Sequence, residues 1–222
     1  MAINPLVLSE FQLLVSRVSG CYRRSEIIGL EWAWQKALAA HEGQYRLSGE
    51  DYCCHLLRGL KTLHYELNLR KAFLLQAYLL HDVIETEDEK RVSEKTGQSS
   101  SYQEITDNLG LRVSTIVMVV SKPRPGDPRF IDEFGQPCDF KRQEAYHQQI
   151  IQGGLYVHLT KLVDNLDNMR TVCFLPEPKR QRKILESQKF YQPLISGVGW
   201  VYPYKAEILW REFAKTPAGI IS

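Results

Sequence analysis

Residues 71–85, KAFLLQAYLLHDVIE, are apolar nearly all round a helical wheel. A helix with no solvent face belongs in the middle of a fold, so the rest of the chain has to be arranged around it. The same run carries two neighbouring ionisable side chains, His81 and Asp82. Burying such groups costs several kcal/mol unless something pairs with them, so the sequence has to supply partners elsewhere.

The surrounding segments read mostly as helix. Across residues 26–41, Ile27, Leu30, Trp34, Ala37 and Leu38 recur at helical spacing, with Ser25 placed as N-cap and Gly43 beyond the end. Residues 51–67 repeat the pattern with Leu56, Leu57, Leu60 and Leu63 on one face. Residues 113–120 are rich in β-branched side chains, which leaves a strand open, although the neighbouring pattern favours a buried helix. Pro123, Pro125, Gly126, Pro128, Gly135 and Pro137 make residues 121–140 a loop, with a small β-hairpin expected around 134–140. Helical periodicity returns at 141–152, 155–173, 178–194 and 204–214. The expected fold class is all-α, a bundle of about eight to ten helices with one small β-hairpin in the 121–140 loop. No repeat or linker divides the chain, so one domain spanning residues 1–222 is expected.

Composition narrows the function. A chain of 222 residues that is 44% hydrophobic can bury one sizeable core. A formal net charge of +2 gives no broad basic field; no nucleic-acid partner is expected, and a small molecule is. The five cysteines, Cys21, Cys53, Cys54, Cys138 and Cys173, are odd in number and lack a CxxC spacing. Neither a disulfide framework nor a zinc knuckle is suggested. No apolar run reaches the roughly 20 residues of a membrane span, so no membrane partner and a cytoplasmic location are expected.

Metal-ligand side chains stand inside segments that read as buried helix: His55 in YCCHLLRGL, His81 and Asp82 in LLHDVIE, and Asp164 in LTKLVDNLDN. A divalent ion held by two imidazoles and two carboxylates would offset the buried charge. Hydrogen-bonded core histidines are the other reading, and the residues alone leave both open. Adjacent ligands on one helix are about 100° apart, so the ion would sit off the helix flank. Asp164, Asn168 and Thr171 fall at i, i+4 and i+7, on one helix face.

Four stretches, AHEGQYRLSGEDYCCHLL (40–57), AYLLHDVIE (77–85), LTKLVDNLDNMRTVCFLPEPKRQRK (159–183) and ESQKFYQPLI (186–195), resemble in order and spacing the signatures of the RelA/SpoT-type HD hydrolase domain. The resemblance runs from about residue 37 to 209. No nucleotidyltransferase pattern follows, so the chain is similar to the small stand-alone alarmone hydrolases of that family. The resemblance implies an all-α HD fold, a manganese ion, and removal of the 3′-pyrophosphate from guanosine tetra- or pentaphosphate. By the same resemblance His55, His81, Asp82 and Asp164 are metal ligands, and Glu85 and Asp82 are catalytic. Arg46 would pack against the base, with Ser48, Asn168 and Thr171 as further substrate-binding residues.

The departures are specific. Glu85 is followed by Thr86 where the family has a second acidic residue; Glu87 and Asp88 are candidate replacements but read as surface charges. Leu47 stands where a basic residue is common, and Asn165 and Asp167 stand where a basic residue and His or Tyr are usual. Weaker or rearranged phosphate binding is expected, with Arg23, Arg24, Lys122, Lys161 and Arg170 as candidate compensating cations. The run KRQRK at 179–183 reads as a solvated helix start. Two alternatives therefore stay open: an HD phosphohydrolase for another nucleotide phosphate ester, or a slow or non-catalytic nucleotide sensor. Trp32, Trp34, Trp200 and Trp210 are candidates for a homo-oligomer interface, with core packing favoured for most of them.

Overall fold

The computed structural model describes residues 5–87, 101–124, 127–132 and 136–219. They form α1 (Pro5–Val18), α2 (Arg24–Ala40), α3 (Cys53–Lys61), α4 (Ala72–Leu79) and α5 (residues 83–87). The chain continues through α6 (Ser101–Leu109), α7 (Leu111–Val120), α8 (Asp139–Gln152) and α9 (Leu155–Arg170), and ends with α10 (Glu177–Glu186), α11 (Leu194–Gly199) and α12 (Pro203–Ala214). The all-α expectation holds, and residues 113–120 are helix.

The apolar stretch does lie at the centre. α4 packs against α2, α3, α7 and α9, and Leu74, Ala77, Tyr78 and Leu79 are wholly buried. It is not the continuous helix expected over 71–85: α4 ends at Leu79, residues 80–82 turn, and α5 begins at residue 83. The cause is local. His81 Nδ1 donates to the Tyr78 carbonyl at 2.7 Å, the oxygen that an uninterrupted helix would offer to the Asp82 amide.

Other boundaries move for similar reasons. α2 begins at Arg24 with Arg23 as N-cap, and Ser25 lies inside the first turn. The Glu26 carboxylate accepts from the Arg23 amide at 2.8 Å, which draws the start earlier than Ser25 would have placed it. The expected hairpin is one antiparallel bridge, Ile131 with Pro137, centred earlier than 134–140. Phe140 belongs instead to α8, while residues 133–135 lie outside the described residues. Helix over 178–194 is interrupted: α10 widens into a π turn at Ser187–Tyr191 before α11.

α1 was not anticipated from the sequence, and its Phe11 stacks on Trp34 with centroids 4.5 Å apart. Trp34 is thus core, and Trp32 and Trp210 pack partly buried against that core, whereas Trp200 is 90% exposed. Among the described residues no helix is long and apolar enough to cross a membrane.

Candidate metal centre and nucleotide site

The turn after α4 carries His81 and Asp82 toward α3, which brings His55, and toward α9, which brings Asp164. One ligand atom each from His55, His81 and Asp82 lie within 4.8 Å of one another. Asp164 Oδ1 completes the group, 3.3 Å from His55 Nε2 and 3.6 Å from His81 Nε2. The four candidate ligands predicted from the sequence therefore meet at one point.

Each is braced from behind. His81 Nδ1 is tied to the Tyr78 carbonyl, and His55 Nδ1 donates to Asp167 Oδ2 at 2.7 Å, so both rings turn Nε2 inward. The Tyr52 hydroxyl donates to Asp82, and Asn168 Nδ2 donates to Asp164 Oδ1 at 2.9 Å. Lys161 Nζ holds Asp164 Oδ2 at 2.7 Å.

The donor set fits a divalent cation. His81 Nε2 is fully buried and makes no hydrogen bond of acceptable geometry, although Asp82 Oδ2 stands 3.0 Å away. Burial works to lower the His81 pKa, but the Asp82 and Asp164 charges outweigh it and raise it to about 10. Two carboxylate charges converging on one imidazole nitrogen would hold a divalent cation there in place of a proton. Burial pushes the Asp82 and Asp164 carboxyls up; His81 overrides it for the first, Lys161 and His81 for the second, leaving both well below the usual range.

A cavity of about 310 Å³ opens beside this cluster, lined in part by Tyr52, His55, Asp82, Glu85, Asp164 and Asn168. Glu85 Oε1 accepts from the Lys122 amide at 2.7 Å. Burial, and then the Asp82 charge, raises the Glu85 pKa. Thr86 lines the same wall and is buried. Glu87 turns away to pair with Lys36 and Ser101, so it is no replacement for the missing acidic group, and Asp88 lies outside the described residues.

A second lobe of about 300 Å³ shares Tyr52 and Asn168 with the first and is lined by Arg46, Ser48 and Thr171. Arg46 sits on a tight turn between α2 and α3, closed by hydrogen bonds of its amide to the Glu50 carbonyl and of the Gly49 amide to its own carbonyl, each 2.9 Å. Gly49 has φ +83°, a left-handed conformation in which a side chain would be strained. Arg46 Nη2 reaches across to Asn168 Oδ1 (2.8 Å) and Thr171 Oγ1 (3.2 Å). The four residues expected to bind substrate thus line one lobe.

The structure changes the expected role of the KRQRK lysines, of Arg170 and of Asp167. Lys183 lines the metal lobe together with Lys122 and Lys161, and Lys179 lines the other lobe, so KRQRK is not merely a solvated helix start. Arg170, counted as a compensating cation, is instead paired with Glu66 and Glu212. Asp167, read as a departure that weakens phosphate binding, is the buried acceptor behind His55. The available signal was the number of polar residues, Lys161, Asp164, Asn165 and Asp167, in a helix that otherwise reads as core.

No protein-family model matches the chain. It is 31% identical over 198 residues to the bifunctional (p)ppGpp synthase/hydrolase SpoT of Escherichia coli K12, covering 89% of this chain and 26% of that protein. It is 30% identical over 181 residues to the guanosine-3′,5′-bis(diphosphate) 3′-pyrophosphohydrolase of Aquifex aeolicus, covering 81% of this chain and 23% of that protein. The chain thus spans about a quarter of the length of these relatives. A solved structure, described as a metazoan ortholog of SpoT that hydrolyses ppGpp, superposes with a TM-score of 0.60 at 18% identity, covering 84% of this chain and 94% of that one. Along most of its length the chain is therefore similar to one portion of SpoT, and its helical fold is the one the solved ortholog has, in line with the RelA/SpoT-type HD domain that its motifs resemble.

Proposed function

We propose that the protein is a metal-dependent 3′-pyrophosphohydrolase of guanosine tetra- or pentaphosphate or a closely related alarmone, working in the cytoplasm. The observation that carries the reading is the adjacency of the two lobes: a His55, His81, Asp82 and Asp164 cluster opens onto a cavity that shares Tyr52 and Asn168 with the lobe holding Arg46, Ser48 and Thr171. A divalent ion, manganese in this reading, supplies Lewis acidity that lowers the pKa of water and polarises a phosphoryl group. Glu85 orients the attacking water and takes its proton; its raised pKa brings it nearer the working pH of a general base. The Lys122 amide fixes the direction of that carboxylate. Asp82, aimed by the Tyr52 hydroxyl, serves as ligand and as the charge facing Glu85. Lys122, Lys161 and Lys183 offset the charge of the pyrophosphate. The planar Arg46 guanidinium stacks on the purine while Ser48, Asn168 and Thr171 face the nucleoside.

Thr86 favours a second reading, a slow hydrolase that acts as a nucleotide sensor, because among the described residues the carboxylates lining the cavity are Asp82, Glu85 and Asp164 alone. The deciding experiment is a product assay with manganese and, separately, guanosine tetraphosphate, its adenosine counterpart and a dinucleotide 2′-phosphate. Pyrophosphate released from the guanosine compound is the expected result. Tight nucleotide binding with no release from any of them would overturn the hydrolase in favour of the sensor.

A further inference from the structure

Behind the metal cluster lies a charged group that the chemistry above does not use. Asp167 is 2% exposed, yet it carries a full set of partners. Its carboxylate accepts from His55 Nδ1 at 2.7 Å and from Arg58 Nε and Nη2 at 2.6 and 3.0 Å. Arg58 is clamped on its far side by the Glu50 carboxylate at 2.7 and 2.8 Å. Arg46 Nη1 stands 3.9 Å from Asp167 Oδ2.

An imidazole offers Nε2 to a metal only when Nδ1 carries the proton, and an acceptor on Nδ1 fixes both the tautomer and the ring plane. Among the described residues Asp167 alone fills that place behind His55, and the arginine that holds Asp167 is itself anchored to the turn bearing Arg46. We propose that Asp167 is the positioning residue for His55, setting the tautomer through which His55 meets a divalent ion, with Arg58 and Glu50 keeping that carboxylate in register. Two bonds from the Arg58 guanidinium on the same carboxylate keep it an acceptor facing His55. The inference rests on the reading of His55 as a ligand.

The test is Asp167→Asn, which keeps the shape but offers an amide able to donate to Nδ1's neighbourhood and favour the other tautomer. Mn2+ titration of the folded full chain, followed by electron paramagnetic resonance, should show affinity 10- to 100-fold weaker than the parent. Nitrogen-15 NMR of the parent loaded with diamagnetic Zn2+ should show His55 protonated at Nδ1, which is readable even if the variant does not fold. Parent-like Mn2+ affinity in Asp167→Asn, or His55 protonated at Nε2 in the parent, would overturn the positioning role. Undiminished Mn2+ binding by His55→Ala would instead sink the ligand reading beneath it, so the two failures are told apart.

Discussion

In the candidate metal lobe each candidate ligand is braced by another protein group: His81 by a carbonyl, His55 by Asp167, Asp82 by Tyr52, Asp164 by Lys161 and Asn168. In the nucleoside lobe the key group, Arg46, sits on a turn whose neighbours Tyr45 and Leu47 are exposed, and it reaches its partners through one long side chain. A pre-organised site spends little on ordering when its ligand binds, whereas a flexible one adapts to different ligands. Both lobes are held by internal bonds, but in the metal lobe the bracing comes from several elements, whereas Arg46 is tied to its surroundings through a single side chain; in the proposed reading the first lobe carries the chemistry and the second the choice of substrate.

The hardest blow to that division is His81→Ala. It should weaken metal retention more than about 100-fold and abolish turnover with it, while nucleotide binding in the second lobe persists; metal content and turnover measured on one preparation decide it. Thr86→Asp comes next, because general acid–base groups contribute about 10²- to 10⁴-fold. A rate gain of that order identifies a hydrolase short of one carboxylate, and an unchanged rate identifies a site that works without it. Arg46→Ala removes the guanidinium proposed to stack on the base, a contact worth about 0.5–2 kcal/mol, so KM should rise roughly 2- to 30-fold with Mn2+ affinity unaltered. A fall in Mn2+ affinity of similar size would show that the lobes are not separable. The mildest test is Lys183→Met: the lysine is partly exposed and paired with Glu186, so KM should rise only about threefold, with the effect fading in high salt.

The two lobes also differed in how much the chain disclosed. Ligand types inside apolar runs made His55, His81, Asp82 and Asp164 legible, because burial has to be explained by pairing. The break after Leu79 was not legible: a hydropathy pattern records which face is apolar, not that His81 takes its own helix's carbonyl. Asp167 and Lys183 stayed hidden for a different reason. Their roles depend on which residues from α3 and α9 face them, and that is set by packing between segments far apart in sequence. Thr171 was legible from its helical spacing to Asp164 and Asn168 as well as from the motif, whereas Ser48 rested on motif similarity and gains a physical basis from its position in the second lobe.

The turn at residues 80–82 has a consequence for how the protein holds together in time. His55, His81 and Asp164 stand 26 and 83 positions apart, so the cluster exists only after distant segments have found each other. An ion seated among them recognises the assembled molecule and has no equivalent site on the open chain. By mass action, metal at a hundred times its dissociation constant adds about 2.7 kcal/mol to the resistance against global unfolding. Local fraying of α1 or α12, which bear no ligand, gains nothing from it. Amide hydrogen exchange should therefore slow on metal addition in the slowest-exchanging core around α4 and α9, leaving the chain ends as they were.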